Sequence, residues 1–263
     1  MKKIFTSLLF FVCIFIGHDV YGQVNKLFST HNYTAIDQNM PVYIVPGSIL
    51  NLDAANTSSY LGSGTSWNDL SGNGNNVTLP STLASTFTST NGGSFLFGEN
   101  SAHTIVDNSL NNFGFAAKAI TVEVWYKRAV TTGFQFWFSD NTANFRFGTN
   151  NSGNYFWNMG SRVDRQNNTF SVATGVWKHI VFTGGLEGGV IVTRLYVDGA
   201  FVLSQSESYN TFNPFTGFLI GSGELSNIYL LKGNLAVLRV YQKALAANEV
   251  LQNFNATKTR FGF

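Results

Sequence analysis

The stretch Trp177–Gly199, WKHIVFTGGLEGGVIVTRLYVDG, decides the fold. Ile180 and Val181 sit in an apolar run whose wet end is Lys178–His179. Two glycine pairs, Gly184–Gly185 and Gly188–Gly189, flank Leu186–Glu187 as the tip of a loop. Beyond it Val190, Val192, Arg194, Tyr196 and Asp198 alternate with Ile191, Thr193, Leu195 and Val197. Two β-rich runs joined by a glycine-bearing loop predict an antiparallel hairpin. Asp198–Gly199 then makes a second tight turn, with positive φ at the glycine, into Ala200–Leu203. The piece is therefore a three-strand meander, and its chemistry is structural.

Outward from this meander the same pattern recurs at short spacing. Ile49–Asp53 alternates, SGNGNN (Ser71–Asn76) is dense turn chemistry, SFLFG follows Gly92–Gly93, and Ile120–Tyr126 alternates cleanly. Further strands are expected at Phe218–Gly221, Ile228–Leu231 and Gly233–Tyr241. Only Ala244–Ala256 reads as helix, with Leu245, Val250, Leu251 and Phe254 on one face. Many short strands and one terminal helix predict an all-β, two-sheet antiparallel sandwich without internal repeats.

The chain begins with a leader. Lys2 and Lys3 precede an apolar run, Ile4–Gly17, that is short for a bilayer, and Val20-Tyr21-Gly22 supplies a cleavage site before Gln23. The single cysteine, Cys13, lies inside that run rather than ending it, so lipid attachment is not expected. Residues 1–22 are read as a signal peptide, 23–46 as a linker and entry segment, and 47–263 as one domain. The mature chain then holds no thiol in an oxidising space and must rely on its core. Charged residues make up only 11% of the sequence and the net charge is +2, which becomes +1 once Lys2, Lys3 and Asp19 leave. No basic patch dominates, which excludes nucleic acid as a main partner. Nor is an integral membrane protein expected.

Several pieces together resemble a known family: YLGSGTSWNDLSGNGNNVTL (60–79), GGSFLFGEN (92–100), ITVEVWYKR (120–128), WKHIVFTGG (177–185), TRLYVDG (193–199) and GNLAVLRVYQKALAANEVLQNFNATKTRFG (233–262). Their order is similar to that in the concanavalin A-like lectin/glucanase superfamily, and more narrowly to its laminin G-like bacterial and phage members. The resemblance implies a jelly roll of two curved sheets. Many relatives carry an acidic and an aromatic residue after the Phe-x-Gly turn, whereas Glu99–His103 lacks the aromatic. The fold hosts lectins, glycosidases and adhesion modules alike, so function has to come from the site.

A retaining glycosidase needs two carboxylates about 5–5.5 Å apart. Glu123 heads the one promising strand, but Trp125 and Lys127 occupy the positions where further acids would stand. A lone strand carboxylate pairing with Lys127 or another neighbour is the plainer reading, and no catalytic residue is assigned. Laminin G-like modules often hold one Ca²⁺, an ion that takes six to eight oxygens. Asp140, Asp164 and Asp107 are the candidate ligands here, against the alternative that they are solvated loop acids. Otherwise no cofactor is expected, and His31, His103 and His179 share no ligand spacing.

The most aromatic segment, Phe134–Met159, carries the candidate ligand site. Phe134, Phe136 and Phe138 share one strand face and Gln135, Trp137 and Ser139 the other; Tyr155 and Trp157 flank Phe156. Exposed rings of Trp137, Tyr155 and Trp157 stack on sugar faces if Phe134, Phe136 and Phe138 point inward, with Asp140, Arg146 and Asn154 reading the hydroxyls. Core packing of the same rings is the competing reading. The polar neighbours of Trp137 are what favour the platform. The expected function is an exported, non-catalytic module at the cell surface or in the periplasm, binding carbohydrate in adhesion. The alternative is an interaction subunit of a cell-surface protein complex, and a glycoside hydrolase is the outlier.

Overall fold

The computed structural model describes residues 43–84, 86–98, 105–107, 118–140, 144–159, 165–210, 217–223 and 229–263, with backbone alone for 105–107. The chain divides into two units, Met1–Pro41 and Val42–Phe263, and every described residue lies in the second. The expected signal peptide, most of the linker, the Glu99–His103 loop and Asp164 lie outside the described residues.

In chain order the strands are β1 (Ser48–Asp53), β2 (Ser66–Trp67), β3 (Val77–Thr78), β4 (Phe87–Thr88), β5 (Ser94–Phe97), β6 (Ile105–Asp107) and β7 (Ala119–Arg128). They continue with β8 (Gln135–Asp140), β9 (Phe145–Thr149), β10 (Asn154–Met159), β11 (Arg165–Ser171) and β12 (Trp177–Glu187). The last four are β13 (Val190–Val197), β14 (Ala200–Ser206), β15 (Phe218–Ile220) and β16 (Gly233–Tyr241). A one-turn helix, α1 (Ser81–Ala84), precedes β4, and the terminal helix α2 spans Ala247–Thr257.

An eight-stranded sheet runs β14-β13-β12-β7-β16-β5-β4, with β1 added beside the second half of β16. A six-stranded sheet runs β11-β10-β9-β8-β15-β6, and β2 and β3 form a separate ribbon. All pairings between named strands are antiparallel. The meander is present as β12-β13-β14, but its first loop is tighter than the sequence suggests. Gly184 and Gly185 are strand residues opposite Thr193 and Val192, and only Gly188–Gly189 turn, both at positive φ. Gly184 is needed for close approach of the sheets: a Cβ there would lie 1.9 Å from the Met159 sulfur. Asp198 and Gly199 both adopt positive φ, as a two-residue hairpin turn requires.

The main core lies between the sheets. Val122, Val124, Tyr126, Ile180, Phe182 and Leu195 line it from the larger sheet. The outer face of that sheet is covered as well, by α2 and the turn Lys258–Phe261, which bury Trp125, Trp177, Val181, Val237 and Tyr241. Burial on both faces is why β16 is a nearly continuous apolar run and why Thr121 and Glu123 of β7 are buried with hydrogen-bond partners. The entry segment is fastened to the same helix: the Val45 amide donates to Asn253 Oδ1 at 2.8 Å, and Gln252 donates to the Tyr43 carbonyl at 2.8 Å. Helix α2 starts three residues later than its apolar pattern suggests, because Glu249 turns back to accept the Ala246 amide at 2.9 Å.

Candidate functional site

The aromatic strands β8, β9 and β10 do build a distinctive surface, but its rings are not the ones expected. Phe136 on β8 and Phe156 on β10 both stand opposite Gly148 on β9. With no side chain between them, their rings meet edge to face at 5.4 Å. Phe134 packs at 5.4 Å from Phe156 and 6.2 Å from Phe136. Tyr229 closes the group, 5.4 Å from Phe134 and 6.0 Å from Phe136. Phe136 and Phe156 are buried, Phe134 is half-buried, and Tyr229 is 41% exposed. Tyr229 also holds φ at 58°, a conformation that costs a non-glycine residue energy and recurs at ligand sites.

Polar groups frame these rings. The Arg146 guanidinium lies 5.9 Å from the Phe136 ring centre, and Arg146 stands opposite Asn158 on β10. Asn154 donates to Asn168 Oδ1 at 3.4 Å, and Asn150 donates to Gln166 Oε1 at 2.8 Å, so the edge toward β11 is a row of amides. An exposed tyrosine ring backed by phenylalanines, beside a guanidinium and amides, suits a ligand with apolar faces and many hydroxyls.

Trp137, Tyr155 and Trp157 are instead core residues, each no more than 2% exposed, which corrects the expectation of an exposed platform. All three point at Phe182 of the larger sheet, at 6.2, 6.4 and 5.6 Å. The Trp157 indole N–H donates across the sandwich to the Thr193 hydroxyl at 3.3 Å. The polar neighbour that favoured exposure, Gln135, is itself buried, and it accepts the Tyr126 hydroxyl at 2.7 Å. Ser139 hydrogen-bonds the Ser222 carbonyl at 2.6 Å. A register shift between Phe136 and Phe138 then breaks the alternation, so Trp137 and Phe138 both join the inter-sheet core while Phe136 does not. Of the six expected ligand residues, Arg146 and Asn154 stand beside the outer rings and Asp140 is buried. Gly148 marks the outer ring cluster in the sequence: a Cβ there would lie 1.9 Å from the Gln135 carbonyl oxygen, so glycine is what allows β8 to approach β9 at this point.

Asp140 accepts the Phe145 amide at 3.0 Å, closing the β8–β9 turn. Asp107 pairs in register with Phe218, which pairs with Asp140, so a phenylalanine strand separates the two acids. Among the described residues no three His, Cys, Asp or Glu side chains gather as a metal site.

Glu123 lies under α2, fully buried, rather than in a cleft. Its Oε1 takes the Arg239 guanidinium at 2.6 Å and His179 Nε2 at 3.1 Å, and its Oε2 takes Asn253 Nδ2 at 2.6 Å. Burial pushes this carboxyl up, but Arg239, aided by His179 and Asn253, outweighs it and brings it down to about 2. The partner expected from the sequence, Lys127, lies instead over the Trp177 ring at 5.3 Å. A buried carboxylate held ionised near neutrality by Arg239, His179 and Asn253 is not poised for acid–base work.

Two antiparallel sheets, an aromatic outer face and a terminal helix define a lectin-like jelly-roll domain. The chain belongs to the concanavalin A-like lectin/glucanases superfamily, whose laminin G-like model (Laminin_G_3) matches residues 71–251. No curated protein matches it in sequence. Among solved structures it is similar to the botulinum neurotoxin serotype D binding domain, with TM-score 0.60, 16% identity, 80% of this chain and 51% of that one covered. It is likewise similar to the binding domain of Paraclostridial Mosquitocidal Protein 1, with TM-score 0.58, 18% identity, and 80% and 52% covered. This chain thus spans about half the length of those binding domains. A third neighbour is domain 4 of AbnA, an extracellular GH43 arabinanase from Geobacillus stearothermophilus, in complex with arabinotriose; it gives TM-score 0.52, 16% identity, and 79% and 98% covered. At such identities the likeness is one of fold.

Proposed function

We propose that this chain is an exported, non-catalytic module that binds a glycan on the outer face of its six-stranded sheet. The observation that carries the reading is Tyr229, part-exposed and held at positive φ against Phe134 and Phe136, with Arg146 over the Phe136 ring. Such a ring supports the apolar face of a sugar while Arg146 and Asn154 address its hydroxyls. The reading is also supported by the company of the fold, since domain 4 of the arabinanase was solved with arabinotriose.

A non-catalytic role is favoured by the fate of Glu123, which is spent on Arg239, His179 and Asn253. Export rests on the leader sequence, with the mature chain starting at Gln23. A glycan array probed with the processed protein tests the proposal. Specific retention of one sugar class, lost on Tyr229→Ala, is the expected result. An empty array beside a co-purifying envelope protein would replace the glycan with a protein partner.

A further inference from the structure

A second concavity lies away from the aromatic face, on the flank of the eight-stranded sheet near its β4 edge. It is a shallow, open depression of about 440 Å³ between the loop Gly62–Thr65, helix α1 and the ring of Phe87. Among the described residues its walls carry no charged side chain: Gly62, Ser63, Gly64, Thr65, Ser81 and Ala84 line it around Phe87. The loop is pinned at its C-terminal end, by the Tyr60 hydroxyl donating to the Gly64 carbonyl at 2.9 Å and by the Leu79 amide donating to the Thr65 carbonyl at 2.7 Å. Phe87 is held from behind, its ring 4.9 Å from Tyr60 and 5.6 Å from Phe95. Gly62 and Gly64 take φ of 90° and 86°, so the loop's shape depends on glycine. A Cβ at Gly62 would already lie 3.8 Å from the Phe87 ring.

We propose that this concavity is a second ligand subsite, selective for a single uncharged sugar residue. The volume is within the range of small-molecule pockets, and Gly64 and Thr65 are already held in place before binding. The Phe87 ring offers an apolar surface for the C–H face of a pyranose or furanose. The hydroxyls of Ser63, Thr65 and Ser81 make no hydrogen bond to the described residues and are available to the ligand's own hydroxyls. With no cation or carboxylate among the described residues of the wall, none of them compensates the desolvation of an acidic or amino sugar.

The test is a ¹⁵N NMR titration of the full chain with D-glucose, D-galactose, methyl α-L-arabinofuranoside and, separately, N-acetylneuraminic acid. At least one neutral sugar should move the amides of Gly62–Thr65 saturably, and the acidic sugar should not. Ser63→Trp, which places an indole in the concavity from an exposed loop, should weaken that response by at least about tenfold, and Ser81→Ala should weaken it by less. Tyr229→Ala should leave it unchanged, while the amides of Arg146 and Asn154 report separately on the aromatic face. The proposal is overturned if no neutral sugar moves the Gly62–Thr65 amides, if Ser63→Trp responds like the wild type, if the acidic sugar binds equally well, or if Tyr229→Ala abolishes the response.

Discussion

Phe182 of the larger sheet and Trp157 of the smaller one face each other across the sandwich, with ring centres 5.6 Å apart. Phe147 reaches the same phenylalanine at 5.6 Å, and Trp137 at 6.2 Å. Phe182 is thus the hub on which the aromatic strands are hung, and the rings facing it hold the two sheets together. Trp157→Ala should cost roughly 3–5 kcal/mol of folding free energy, the range for emptying an aromatic core site. Chemical denaturation of the variant measures this. A loss of ligand affinity with unchanged stability would return Trp157 to the surface.

Gly199→Val should destabilise the domain for two separate reasons. The position holds φ at 78°, where a β-branched residue costs about 1–3 kcal/mol. A Cβ there would also lie 2.8 Å from the Phe254 ring of α2, adding about 1–3 kcal/mol of overpacking. Gly199→Ala keeps the strain and most of the contact, so it should fall between wild type and valine. An unchanged melting temperature for Gly199→Val would contradict the turn.

The ion pair of Glu123 and Arg239 should make stability fall in acid. Glu123 titrates lower in the folded state than in the unfolded chain, so its contribution is fully present above its unfolded value of about 4.5. That contribution is lost as pH falls from there through about 2. Glu123→Gln removes the charge while leaving Arg239 buried, and should cost about 3–5 kcal/mol near neutrality. The variant should also flatten the acid limb of the stability curve between those two values. An unaltered acid limb would show that Glu123 is not the group responsible.

Calcium should leave the melting temperature unchanged. Asp140 already closes the β8–β9 turn through the Phe145 amide, and Asp107 stands on β6, two strands away. Binding at a hundredfold excess over Kd would add about 2.7 kcal/mol of stability. A rise of that size on adding Ca²⁺, reversed by chelation, would restore the metal.

The fold was largely legible because its signals are local. Alternation in β7 and β13, the Asp198–Gly199 turn and the apolar stripe of α2 each need only a few neighbouring residues to be read. The proposed ligand face was not, for a physical reason. Alternation says which residues share a side of β8 but not which side meets the other sheet, and here both sides are buried. A bulge then brought Trp137 and Phe138 into the core together, and Gln135 hid there by bonding Tyr126. Tyr229 belongs to the face through a contact nearly a hundred residues along the chain from Phe134, which no local pattern encodes.

The most direct measurement is a paired titration of Tyr229→Ala and Arg146→Ala with the best glycan found on the array, alongside their melting curves. Both lie on the outer face, so affinity should drop by roughly 1–3 kcal/mol for Tyr229→Ala and by a comparable amount for Arg146→Ala. The melting temperature of Tyr229→Ala should stay close to that of the wild type. Wild-type affinity in both variants would place the glycan elsewhere and contradict the aromatic face as the binding site.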